Sequence, residues 1–182
     1  MPRITPVADK SEVPPEHQEG VDKVLEVFGS IRGPHSILLH SPALDAPALA
    51  LGNYFRYDSV VKSPDKELAI ITAAREKDCL YVWAAQVAAG RRAGMREEAI
   101  AAVRDKADTS NLSADEEAII NYVRQLFRTN RVDQQTFDAL KDRYGAQWLI
   151  EMTTVAGYYG MLAGVVNAFE LPGPPDGDLL PV

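Results

Sequence analysis

Residues Ser63–Val103 read "SPDKELAIITAAREKDCLYVWAAQVAAGRRAGMREEAIAAV", and this stretch decides the fold. Ser63 reads as an N-cap and Pro64 as the first helical residue. Asp65 and Glu67 then place carboxylates in the first turn, where the positive end of a helix favours them. A second helix carries Cys79 to about Arg92 and stops at Gly94. The segment "MREEAIAAVRDK" reads as a short amphipathic third. Three helices in succession, with no alternating strand pattern of useful length, predict an all-α protein.

The flanking sequence agrees. From Gln18 the apolar residues Val21, Val24, Leu25 and Phe28 recur at helical spacing to about Ile31, where Gly33-Pro34 stops the run. A short helix is predicted from Pro34 and another from near Pro42. Ser113 and Glu116 form a capping box that opens "SADEEAIINYVRQLFRTN". Asp133 caps "QQTFDALKDRYG", and a glycine-bearing helix completes the set. Pro2, Pro6, Pro14 and Pro15 make residues 1–16 an extended arm. The expected organisation is this arm, one helical domain over 17–170, and a coil tail over 171–182.

Composition narrows the function classes. A chain of 182 residues is long enough to bury one core, and 46% hydrophobic with 25% charged residues is ordinary for a globular protein. The net charge is −7 and no Lys/Arg run could follow a phosphate backbone, which argues against a nucleic-acid partner. A single cysteine excludes an intramolecular disulfide. The polar, proline-bearing start has no apolar signal core, so a cytoplasmic protein is expected. Trp148–Phe169 is long enough to cross a bilayer and holds Gly160-x-x-x-Gly164. It also carries Glu151, Thr153, Thr154 and Asn167 with no basic flank, so a buried helix or a helix packed on another subunit is expected instead. Gly157, Gly160 and Gly164 each cost about 1 kcal/mol of helix propensity, which predicts close helix contact there.

Few residues are candidates for chemistry. Cys79, Val82, Trp83 and Gln86 share one face at helical spacing, with Arg75 just before it. A lone cysteine on such a face is most often a small core hydrophobe, and a reactive thiolate needs a helix N-terminus or a cation beside it. Asp78 as a cap and Arg75 as a cation would supply these. Glu67 is either a helix-end charge or, if the helices bring it beside Cys79 and Gln86, an acid or base. His40, in "ILLHSP", is a helix-end residue or a substrate contact; His17 and His35, in polar or turn context, are expected to do nothing chemical. No ligand cluster predicts a metal, and no glycine-rich loop after a strand predicts a nucleotide cofactor.

The Ser63–Val103 stretch resembles the core of the carboxymuconolactone decarboxylase and alkylhydroperoxidase D-like family. The likeness lies in an acidic-Leu-Ala-Ile helix after proline, the spacing from Glu67 to Cys79, an aromatic pair, and the "AGMREEAIAA" helix. "LLHSPAL" and "GYYGMLAGVVNAFELPGPP" are similar to family members as well. The resemblance implies an all-α fold that buries its site between subunits, assembled as trimers or hexamers built of trimers. In the peroxidase branch the chemistry uses a Cys-x-x-Cys pair, an upstream Glu and a His. On this chain Glu67 matches the Glu and Cys79 the first Cys, but Val82 stands at the second and Gln86 at the His. Without a resolving thiol a sulfenic acid at Cys79 has no partner in the chain, and an amide relays no proton. The decarboxylase branch needs no thiol, although its members also carry histidine at position 86.

The expectation is therefore proton-transfer chemistry without a cofactor, decarboxylation or isomerisation, on a small carboxylated or lactone-type metabolite. Glu67 would be the acid or base, Gln86 a hydrogen-bond partner, and Cys79 part of the wall. Substrate contacts would come from His40, Arg75, Tyr81, Val82, Trp83 and Tyr158, with Tyr159 a further wall or donor. The alternatives are hydroperoxide reduction through Cys79 and a non-catalytic ligand-binding protein.

Overall fold

The computed structural model describes residues 1–181, which include eight α-helices and no β-strand. They are α1 (Gln18–Phe28), α2 (Pro34–Leu38), α3 (Pro42–Asn53), α4 (Asp65–Glu76), α5 (Leu80–Arg92), α6 (Glu97–Arg104), α7 (Ala114–Thr129) and α8 (Gln134–Ala168). A single π-helical turn, Tyr54–Asp58, extends α3.

At the centre lies α4, which packs against α5, α6, α7 and α8. Its sequence explains this position. Leu68 through Ala74 is apolar on every side of the helix, and all of it is buried. The polar exception, Thr72, returns its hydroxyl to the Leu68 carbonyl at 2.7 Å.

Two helix starts differ from the sequence reading. Pro64, not Ser63, is the N-cap of α4, and no side chain caps that helix. The Ser63 hydroxyl instead donates to Glu67 Oε1 at 3.2 Å. Cys79 lies outside α5 as its N-cap, with extended backbone (φ −92°, ψ 96°). Asp78 does not cap α5: its backbone is left-handed (φ 47°) and its carboxylate pairs with Arg75 and Lys106. The capping box of Ser113 and Glu116 and the Asp133 cap form as expected.

Helix α8 contains the predicted break between "QQTFDALKDRYG" and the glycine-bearing stretch. Gly145 has φ 84° and ψ 167°, a conformation open to glycine alone, and the helix axis turns there. By length and apolarity α8 would suit a bilayer, yet Glu151 and Tyr158 are buried in it and α4 and α7 pack along it. Of Gly157, Gly160 and Gly164, only Gly160 makes the expected close contact, against Phe127. Gly157 and Gly164 face outward with open space around them.

The ends of the chain are docked. Val7 and Val13 of the arm are buried with Val21 and Leu39, and two 3-10 turns, Lys10–Glu12 and Pro15–His17, interrupt its extended course. The tail crosses α5, where a side chain at Gly177 would bring its Cβ 2.5 Å from that of Ala84. Asp178 pairs with Arg91, and the Pro181 carbonyl accepts from Arg75 Nη2 at 2.9 Å.

Candidate active site

The first helical residues after Pro64 carry Glu67 to the wall of a cavity of about 610 Å³. Its remaining walls come from the start of α2, the end of α3, one face of α5, the middle of α8 and the tail at Pro174–Gly177. The size suits a small-molecule ligand.

Glu67 is the least satisfied group in this cavity. Oε1 accepts from Ser63, while Oε2 is buried without a hydrogen-bond partner. Burial pushes its carboxyl above the usual carboxylate range, against the pull of Lys66, Ser63, Arg56 and Arg92. A carboxyl raised in this way holds its proton more firmly than an exposed one, which suits an acid's role. Gln86, one helix away on α5, lines the same space. Tyr159 lines the cavity too, and burial together with the nearby Glu67 charge raises the pKa of its phenol, which keeps it protonated. Tyr158 is pushed up to about 12, chiefly by burial, and donates to the Ala48 carbonyl at 3.0 Å.

The electrostatics favour an anion. Arg32, Arg56, Lys66 and Arg92 line the cavity against the carboxylates Glu67 and Asp176. Lys66 is tied to the Phe55 carbonyl at 2.8 Å and its amine is lowered by burial, so the arginines carry most of the positive field. Arg56 lies over the Phe28 ring, 4.7 Å from its centroid.

The cavity brings together Glu67, Gln86, Tyr81, Val82 and Tyr158 among the residues singled out from the sequence. Four others belong elsewhere. Cys79 has no exposed surface, packs in the apolar core and does not line the cavity; burial raises its thiol pKa. As the N-cap, Cys79 lies before the first helical residue of α5 and packs in the core, so helical spacing did not bring it to the cavity that Gln86 lines. Trp83 is fully buried beneath that face. Arg75 is consumed by the carbonyls of Arg104 (2.7 Å) and Pro181 and by Asp78, anchoring the tail. His40 lies past the end of α2, exposed, with Nε2 2.9 Å from the Thr5 carbonyl, where it holds the arm.

Several cavity residues escaped the sequence reading. His35, on the first turn of α2, lines the cavity while its Nδ1 lies 2.6 Å from Asp45 Oδ1 on α3. Arg32, Arg56, Lys66 and Arg92 come from four different segments, and no local pattern joins them. Only the "HSILLHSPALD" combination of histidine and aspartate, a short helix apart, was available as a signal.

Residues 42–125 match the model of the carboxymuconolactone decarboxylase family. That stretch, a little under half of the chain, is similar to this family. No curated protein matches the sequence. Among solved structures, an uncharacterized peroxidase-related protein from Ralstonia eutropha JMP134, described as an alkylhydroperoxidase AhpD core, is similar with a TM-score of 0.74. The identity is 14% over 95% of both chains. An uncharacterized peroxidase-related protein from Silicibacter sp. TM1040 is similar with a TM-score of 0.73 and 16% identity, over 96% of this chain and 93% of the other. At such identities the likeness is one of fold. Within the matching residues the cavity wall carries Glu67, and the thiol of Cys79 stands apart from it.

Proposed function

We propose that this protein is a cofactor-free decarboxylase or isomerase acting on a small carboxylated or lactone-type metabolite. The observation that carries the proposal is Glu67: a buried carboxyl with a free oxygen and a raised pKa, facing a ligand-sized cavity rimmed by arginines. The arginines would hold the carboxylate groups of such a substrate. In a decarboxylation, the C–C bond to the carboxyl group breaks, carbon dioxide leaves, and the electron pair moves into the conjugated carbonyl. The resulting enolate oxygen would be met by the Tyr159 hydroxyl and the Gln86 amide, both neutral donors. Protonated Glu67 then delivers its proton to carbon, completing the exchange. In an isomerisation, Glu67 exchanges a proton with a carbon of the substrate.

The family's other chemistry, hydroperoxide reduction at a thiol, draws no support from Cys79, which is buried, outside the cavity and raised in pKa. Two assays separate the readings. Cys79→Ala should leave the turnover of lactone acids at the wild-type level, and the wild-type protein should consume no peroxide with an added thiol reductant. Thiol-dependent peroxide loss that disappears in Cys79→Ala would replace this proposal with the peroxidase one.

We extend the proposal to self-association as a trimer or hexamer. Ile150, Thr154, Gly157, Met161 and Gly164 form an exposed stripe along α8, with Ile150 65% and Met161 44% exposed. Such a row of small and apolar residues suits close packing against another helix. Light scattering should give a mass three or six times that of the chain; a monomer at micromolar concentration would remove this part of the proposal.

A further inference from the structure

The cavity holds a second titratable unit that the reaction above does not use. His35 is 4% exposed and Asp45 wholly buried, and their side chains meet at 2.6 Å between Nδ1 and Oδ1. Asp45 Oδ2 has no hydrogen-bond partner, and among the described residues the imidazole is the only side chain to which Asp45 hydrogen-bonds. Phe28 packs on the ring with centroids 5.1 Å apart, which holds its plane. Burying a carboxylate with one imidazole is a costly way to join two helices, since apolar residues of similar volume do so at least as well. A structural histidine also tends to satisfy both nitrogens. Here Nε2 makes no hydrogen bond among the described residues, and the ring lines the same cavity as Glu67 and Gln86.

The chemistry of this pair follows from its geometry. A carboxylate at Nδ1 keeps the proton on that nitrogen, so the neutral ring offers the lone pair of Nε2 to the cavity. When Nε2 takes a proton, the imidazolium is stabilised by Asp45. Tyr158 and Tyr159, their rings 5.3 Å apart, line the same cavity as both acid–base groups.

We propose that His35 is a second proton-transfer residue of this cavity, with Asp45 as the residue that positions it and sets its tautomer. This rests on the reading above that the cavity takes a small carboxylated substrate. Nε2 removes a proton from substrate carbon, and the electron pair left behind moves into the adjacent carbonyl. Glu67, from another wall, adds its own proton to a different carbon. Return of the proton from the imidazolium to Glu67, directly or through water, restores both groups, and the net change is an isomerised substrate. The position 86 amide, which cannot move a proton, then serves only as a donor.

The test uses the full chain and needs no substrate. Nitrogen-15 NMR of the imidazoles should show neutral His35 protonated at Nδ1 and bare at Nε2. Bromoacetate, a small carboxylate whose carbon–bromine bond breaks as Nε2 forms a bond to its methylene, should carboxymethylate His35 faster than His17 or the exposed His40. In Asp45→Asn the amide donates to Nδ1, the proton moves to Nε2, and His35 labelling should fall at least about tenfold with the NMR spectrum still that of a folded protein. An Nε2-protonated His35 in the wild-type spectrum overturns the proposal whether or not the variant folds. So does bromoacetate labelling of His17 and His40 that spares His35. If uncharged bromoacetamide labels His35 as fast as bromoacetate, the proton-transfer role stands, and the preference of the cavity for carboxylates is what fails.

Discussion

Glu151→Ala is expected to lower the free energy of unfolding by about 3–5 kcal/mol, because one carboxylate organises the whole segment after α3. Its oxygens accept from the Tyr54 hydroxyl (2.8 Å), the Ser59 hydroxyl (2.8 Å), the Val60 amide (2.9 Å) and Gln147 Nε2 (2.9 Å). Hydrogen bonds to a charged acceptor contribute about 1.5–3 kcal/mol each, and a buried donor left without one costs about 1–3 kcal/mol. Ser59 is buried, so its hydroxyl would be stranded. Urea unfolding followed by circular dichroism measures the loss, and a change below about 1 kcal/mol would mean that water replaces the carboxylate. The same network predicts acid sensitivity. Burial alone would raise the carboxyl, but the donors from Gln147, Tyr54, Ser59 and Val60 outweigh it and hold it down at about 2. The folded state therefore binds the proton more weakly than the unfolded chain. The stabilisation is complete above the ordinary value of 4.5 and is lost as pH falls from there towards 2. Glu151→Gln should flatten that slope. Because Phe55 and Arg56 sit between Tyr54 and Ser59 and line the cavity, the loosened segment should also weaken anion binding.

Glu67→Gln should give the opposite combination: a more stable protein with turnover of lactone acids reduced about 10²–10⁴-fold, the range typical of a lost acid–base group. Burial raises the Glu67 carboxyl, so between the unfolded and folded pKa values the native state holds more protons than the unfolded chain. Stability then falls as pH rises through that window, and the ionised form remains a liability at neutral pH. The amide has the same shape and no charge to bury, so its melting temperature at pH 7 should match or exceed the wild type. Substrate affinity should change far less than turnover, since the arginines remain. A variant that is less stable and still active would make Glu67 a helix-end charge and nothing more.

Much of this protein was legible in its residues. Caps, prolines and helical spacing marked all the major helices, because these signals act within a turn or two of the chain. The all-apolar "LAIITAA" run announced a helix surrounded by others, and the break at Gly145 followed from a glycine after a charged, amphipathic segment. Glu67 and Gln86 were found by their place in a family pattern. Cys79 was matched by the same pattern, yet it sits at the N-cap of α5, packs in the core and does not line the cavity.

The histidines divide the two kinds of knowledge most clearly. That "HSILLHSP" contains a short helix between two imidazoles was decided by the sequence alone, through proline at its first turn and the apolar run behind it. Which imidazole faces a ligand was not. His35 enters the cavity because α2 docks with its first turn against α3, where Asp45 waits ten residues on; His40, beyond the helix end, is left to hold the arm. Local chain preferences act between neighbours and can be read along the chain. The meeting of α2, α3, α4, α5 and α8 around one hollow depends on burying all their apolar faces at once, and that is a property of the packed molecule only.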